Sequence, residues 1–191
     1  VYFLRFGLVL PLLCTNPACA QTTKFVNDGV RQIYWGDGKL MAEVSYKDGK
    51  QDGPEKVYWP DGKLQAVKYY KEGRREGIAK YYYKTGELKS EQPYREGRRQ
   101  GTCLLYNTKG SLILEQAFKD DKREGMLICY YAGSSPQAVK PAEGEVQKDM
   151  VHIRGQIKAE EPYKNGKRQG TAKYYYENGY LKSQQGYKND L

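Results

Sequence analysis

The chain has 191 residues, of which 39% are hydrophobic and 13% aromatic, and it carries a formal charge of +9. Those fractions suit a folded protein, and a single histidine excludes a multi-histidine metal centre within one chain. The basic balance points to anionic partners and says nothing of fold.

In chain order, residues 1–20 come first and differ in kind from the rest. Arg5 is their only charge, Phe6 to Leu13 form an apolar stretch, and Ala18, Cys19 and Ala20 are small. This layout predicts a secretory signal peptide cleaved before Gln21, with an apolar run too short to span a bilayer. Lipidation at Cys14 or Cys19 is the weaker reading, because Leu13 is bulky and Cys19 lacks an apolar residue three places upstream. The mature chain is therefore expected to be secreted, or to reside in the periplasm or cell envelope. Residues 21–29 form a short lead-in.

From residue 30 a unit of 24 residues repeats, closed each time by a glycine: Gly53, Gly77, Gly101, Gly125 and Gly170. The units run 30–53, 54–77, 78–101, 102–125, 126–170 and 171–191. A fixed period of this length marks a repeat array, in which neighbouring units bury each other and no central core is needed.

Each unit opens with six residues rich in aromatic and branched side chains, such as VRQIYW and IAKYYY, which read as a strand. A tight turn follows, with glycine at the ninth position (Gly38, Gly62, Gly86, Gly110, Gly155, Gly179). The second strand runs from a leucine or isoleucine at the eleventh position to an aromatic ring at the seventeenth, for example Leu40 to Tyr46. Their shared parity predicts that both project from one face, with a small residue at the thirteenth position leaving room for a ring from the next strand. Pro93 and Pro162 fall late in their strands, where a missing ladder donor is tolerable. A basic turn then reverses the chain. The prediction is an all-β repeat array of six antiparallel hairpins in one long twisted meander, with almost no helix.

The fifth unit holds 21 extra residues, falling at about 132–150 in a stretch rich in Ser, Pro, Ala, Gly and charge, as a surface loop should be. Cys103 and Cys129 belong to neighbouring units with a predicted strand between them. A separation of roughly 10 Å across that strand exceeds the reach of a disulfide, so both are expected to be unpaired.

Tyr at the fifth position, Gly at the ninth, Leu at the eleventh, the Tyr-Lys-acid-Gly turn and the closing glycine together resemble the MORN-repeat variant, found in bacterial proteins labelled YwqK-type antitoxins. The resemblance covers residues 30–191, with Asp121 standing where the fourth basic turn would have glycine. It implies a non-enzymatic binding module built of hairpins, and the antitoxin label implies a protein partner.

No catalytic, cofactor or metal site is expected. His152 stands alone beside the insertion, and the acids at the fourteenth position (Glu43, Glu91, Glu115, Glu160) recur too regularly for catalysis, which suggests cross-strand pairing with Lys. The turn glycines precede no helix and so form no phosphate cradle. The candidate partner-binding residues are the fifth-position rings Tyr58, Tyr82, Tyr106, Tyr130 and Tyr175, and the turn cations Arg74, Arg75, Arg98, Arg99, Lys122, Arg123, Lys167 and Arg168. Lys50 extends the same series. Stacked units would align these cations along one sheet edge, either as a solvated rim or as a ledge for an acidic protein surface, an anionic lipid or an envelope glycan. Nucleic acid would suit the charge and the rings, but export disfavours it.

Overall fold

A computed structural model describes residues 21–22, 27–133, 137–138 and 153–191. The predicted leader, most of the inserted segment and His152 lie outside the described residues. The strands begin with β1 (Gln21–Thr22) in the lead-in, followed by β2 (Gly29–Tyr34), β3 (Leu40–Lys47), β4 (Lys50–Tyr58), β5 (Leu64–Lys71), β6 (Arg74–Arg75), β7 (Gly77–Tyr82) and β8 (Leu88–Arg95). They continue as β9 (Arg98–Arg99), β10 (Gly101–Tyr106), β11 (Leu112–Lys119), β12 (Lys122–Tyr130), β13 (Gln137–Ala138), β14 (Ile153–Arg154), β15 (Ile157–Lys164), β16 (Lys167–Tyr175) and β17 (Leu181–Lys188). Strands pair antiparallel along the main ladder, with β6 and β7 both on β5, β9 and β10 both on β8, and β12 on β15, giving the single open meander that the repeat predicts, with no helix among the described residues.

Two kinds of turn build each hairpin. Lys47 and Lys50 are cross-strand partners with only Asp48 and Gly49 between them, at φ of 50° and 73°. Two successive left-handed residues make a type I′ turn, whose twist matches that of its strands. The same turn returns at Glu72–Gly73, Glu96–Gly97, Asp120–Asp121 and Asn165–Gly166. The other turn is a three-residue loop. There Gly38 N–H donates to Trp35 O at 2.9 Å and Trp35 N–H to Lys39 O at 2.8 Å, an arrangement repeated from Trp59, Tyr83, Asn107 and Tyr176.

The structure corrects the parity argument. In every unit the register shifts just before the fifth-position Tyr: Ile33 opposes Ala42, whereas Tyr34 opposes Leu40, which leaves Met41 over. This surplus residue breaks the two-residue alternation along the second strand of each unit. Leu112 consequently packs with Tyr106 and Tyr130, flanked by Leu88, Leu104, Ile128 and Ile157. The Phe118 ring lies elsewhere, under Arg99.

Among the described residues the buried apolar set is thin and made largely of small residues, Ala42, Ala66, Ala79, Ala159 and Ala172 among them, with Leu112 its one large, fully covered side chain. That is how an array without a central core should look. The closing glycine of a unit is required twice over. Gly101 has φ of 109°, and a Cβ built there would lie 3.2 Å from Pro93 Cγ.

The insertion leaves the ladder unbroken. Strand β12 pairs directly with β15, from Gly125 opposite Tyr163 to Cys129 opposite Ala159. The extra residues therefore replace one three-residue turn. Near their base, β13 pairs with β14, and Arg154 lies parallel beside Leu112. Cys103 and Cys129, on β10 and β12, are unpaired as expected.

Candidate interaction surface

The fifth-position tyrosines face inward upon their neighbours. Tyr58 Oη donates to Glu43 at 2.8 Å, Tyr106 to Glu91 at 3.0 Å, Tyr130 to Glu115 at 2.7 Å and Tyr175 to Glu160 at 2.7 Å. Each bond runs from one unit to the fourteenth-position acid of the unit before. Tyr82 makes no such bond, because Val67 occupies that place. Burial, followed by the bond to Glu43, pushes the Tyr58 phenol up to about 12. Burial also raises Tyr106, helped by the charge of Glu91. Of the five candidate rings, Tyr106 and Tyr130 are buried, and Tyr58, Tyr82 and Tyr175 are half-buried. The expected Glu–Lys pairing occurs too: Lys80 Nζ reaches Glu91 at 3.2 Å.

Adjacent cations of the basic turn have separate fates. The second of each pair leans over the aromatic ring of the following unit: Arg75 over Tyr94 at 4.9 Å, Arg99 over Phe118 at 4.2 Å, Arg123 over Tyr163 at 5.0 Å and Arg168 over Tyr187 at 4.1 Å. Within its own unit each of these arginines also stands opposite a ring, Tyr70, Tyr94, Phe118 and Tyr163 in turn. Guanidinium and ring thus alternate along the sheet, an attractive stacking of cation on π-face. For Arg75, burial works against the charge. Its bond to Tyr70 and the neighbouring Tyr81 and Tyr94 outweigh this and hold its pKa above the ordinary value.

Successive turns are also bolted together. The backbone N–H of Asp48, Glu72, Glu96 and Asn165 donates to the carboxylate of Asp28, Asp52, Glu76 and Glu124, the first in the lead-in and the others each in the preceding unit. A second rung joins Gly73 N–H to Gln51 O at 2.7 Å and Gly97 N–H to Arg75 O at 2.8 Å. Asp121, in the position that glycine holds in other turns, has φ of 66° and accepts from Arg99 N–H at 3.0 Å and Arg99 Nε at 3.1 Å. Those bonds, the backbone one foremost, lower its pKa.

The first cation of each pair stays outside, and of the second cations Arg123 is exposed as well. Lys50, Arg74, Arg98, Lys122 and Lys167 are all exposed. Each stands directly across the ladder from another exposed cation: Lys47, Lys71, Arg95, Lys119 and Lys164. The sequence reading missed these partners, although they recur with the same period as the candidates it chose. Between neighbouring turns lies a niche of about 430 Å³ lined by Arg74, Arg95, Glu96, Arg98, Gln100 and Asp120.

At the opposite edge, sixth-position rings accompany the three-residue turns. Lys89 lies over Tyr83 at 5.6 Å and Lys182 over Tyr176 at 5.6 Å. A shallower niche of about 760 Å³ there is lined by Leu40, Tyr58, Pro60, Lys39 and Lys84, among others. Among the described residues, no three His, Cys, Asp or Glu side chains gather as a metal site.

Residues 27–48, 51–72, 75–96 and 168–189 match the MORN repeat variant. Four hairpins of this chain are MORN-variant repeats. The matched segments make up somewhat less than half of the chain, and no curated protein matches it significantly. The hairpins outside the match keep the same construction: Tyr106 opposes Leu112 and Tyr130 opposes Ile157, just as Tyr82 opposes Leu88 within a MORN-variant repeat. Their departures are local. The fourth has Asp121 in its turn, and the fifth carries the insertion.

Proposed function

We propose that this protein is a non-enzymatic repeat scaffold that binds a protein partner along its basic turn edge. One observation carries the reading: a pair of exposed cations returns at the same edge in each of five successive turns. The other periodic residues are consumed within the sheet as Tyr–Glu bonds, guanidinium–ring stacks and turn caps. A repeated exposed feature on a continuous sheet suits binding to an extended surface. In its finer form the partner is a small toxic protein and the scaffold its immunity factor. Residues 1–20 would export the chain, so the two would meet in the envelope or outside the cell.

The experiment is affinity capture from the source cell's envelope fraction, comparing the native chain with an Arg74→Glu, Arg98→Glu variant, followed by mass spectrometry. A protein retained by the native chain and lost from the variant is the expected result. A protein retained equally by both would overturn it.

A second reading rests on the same exposed cations, namely adhesion to anionic lipid or envelope glycan. Sedimentation with anionic vesicles or cell-wall material, abolished at high salt by screening, would favour it.

A further inference from the structure

We propose that the basic turn edge takes an extended, acidic segment of the partner in polyproline II conformation, one carboxylate to each turn. The inference rests on the protein-binding reading above and specifies the chemistry that it recognises.

The charge arrangement at the edge is unfavourable for the fold by itself. Like charges directly opposite on paired strands destabilise a sheet. Here Lys47 faces Lys50, Lys71 faces Arg74, Arg95 faces Arg98, Lys119 faces Lys122 and Lys164 faces Lys167. Among the described residues, little relieves this repulsion. Arg98 lies 3.8 Å from Asp120, with both side chains well exposed. The carboxylates of Asp52, Glu76 and Glu124 are turned away to cap backbone N–H groups, and Asp121 is committed to Arg99. The tip residues Asp48, Glu72, Glu96 and Asp120 offset one of the two flanking cations in their turns. Each turn therefore keeps at least one positive charge that an external anion would neutralise.

Spacing selects the shape of that anion. Successive basic turns are two strands apart, which places them about 10 Å from one another. A polyproline II helix repeats every three residues with a rise of about 3.1 Å each, and so returns to one face about every 9 Å. An ordinary β-strand fails this test, since its third residue points to the opposite face. A segment with an acid at every third residue would present one carboxylate per turn, and the niche among Arg74, Arg95 and Arg98 offers guanidinium donors for it. Polyproline II also binds at a lower ordering cost than a flexible chain, because its backbone is already extended.

The probe is a labelled Glu-Pro-Pro repeat with one triplet for each basic turn, titrated with the folded chain and followed by fluorescence anisotropy. The comparison peptide has the same composition but clusters its acids at one end. Expected is binding of the periodic peptide roughly tenfold tighter than the clustered one, weakened at least as much by Arg74→Glu with Arg98→Glu. Reversal of Lys39 and Lys84 on the opposite edge should leave it unchanged. Equal binding of the two peptides, or binding that survives the Arg reversals, overturns the proposal. Binding of anionic vesicles or soluble glycan without the periodic peptide overturns it as well. If capture of a protein from the envelope still depends on Arg74 and Arg98 while the peptide fails, the scaffold reading stands and this one falls.

Discussion

Tyr106 Oη donates to a carboxylate oxygen of Glu91 at 3.0 Å, and the two residues are only 5% and 6% exposed. This bond crosses from one repeat to the one before, and Lys80 holds the other side of the same carboxylate at 3.2 Å. A buried charge paired on both sides makes the junction between units specific as well as stable, because each partner left alone would be costly.

Removal of that hydroxyl tests the junction. Tyr106→Phe leaves Glu91 short of a donor inside the sheet and should cost about 1–3 kcal/mol. Tyr82→Phe is the internal control, since Val67 stands where a carboxylate would be, and should cost less than about 0.5 kcal/mol. Urea unfolding of both variants decides. Equal losses would show that the Tyr–Glu bonds contribute nothing.

The two arginines of one turn should behave as opposites. Arg99 stacks on Phe118 at 4.2 Å and is held by Asp121, so Arg99→Ala should lower stability by about 1 kcal/mol. Arg99→Lys should recover little of it, because the planar fork is lost. Arg98→Ala, at an exposed site, should change stability by less than about 0.5 kcal/mol while weakening partner capture. A thermal melt beside a binding assay separates these outcomes.

A turn glycine and a closing glycine should differ in tolerance. Gly110 has φ of 79° with open space around its missing Cβ, so Gly110→Ala should cost about 1–2 kcal/mol through backbone strain. Gly101→Ala adds a contact with Pro93 at 3.2 Å and should cost more, on the order of 3 kcal/mol. If the order of the two melting temperatures were reversed, the packing role of the closing glycine would be wrong.

Alkaline titration probes Tyr58, whose phenol is pushed up to about 12 by burial and then by the bond to Glu43. A raised folded pKa means that the proton is held more tightly in the folded state. Its contribution is fully present below the unfolded value of about 10 and is lost as pH rises through 12. Tyr58→Phe should therefore lose stability less steeply across that window than the native chain. Parallel slopes would remove Tyr58 from the account.

Much of this architecture was legible in the residues. Aromatic hexads gave strands, Asp-Gly pairs gave tight turns, and the 24-residue spacing gave a meander. These are local preferences repeated in phase, and tertiary context had no reason to override them. The parity of Leu112 and Phe118 was misjudged because one surplus residue in the second strand, invisible in a periodic pattern, switches which side chains share a face. Arg98 and Arg99 looked equivalent on paper for a similar reason. Adjacent residues of a strand point to opposite faces, and only one of those faces carried a ring.

Strand order, turn chemistry and the place of the insertion follow from the sequence by itself, since each depends on neighbours in the chain. The tertiary structure alone decided which polar groups are spent on cohesion and which stay free. That choice rests on contacts made between units: Tyr106 with Glu91, Arg99 with Phe118, Asp48 N–H with Asp28. Lys47 and Lys50 remain exposed, set side by side at the rim by the register.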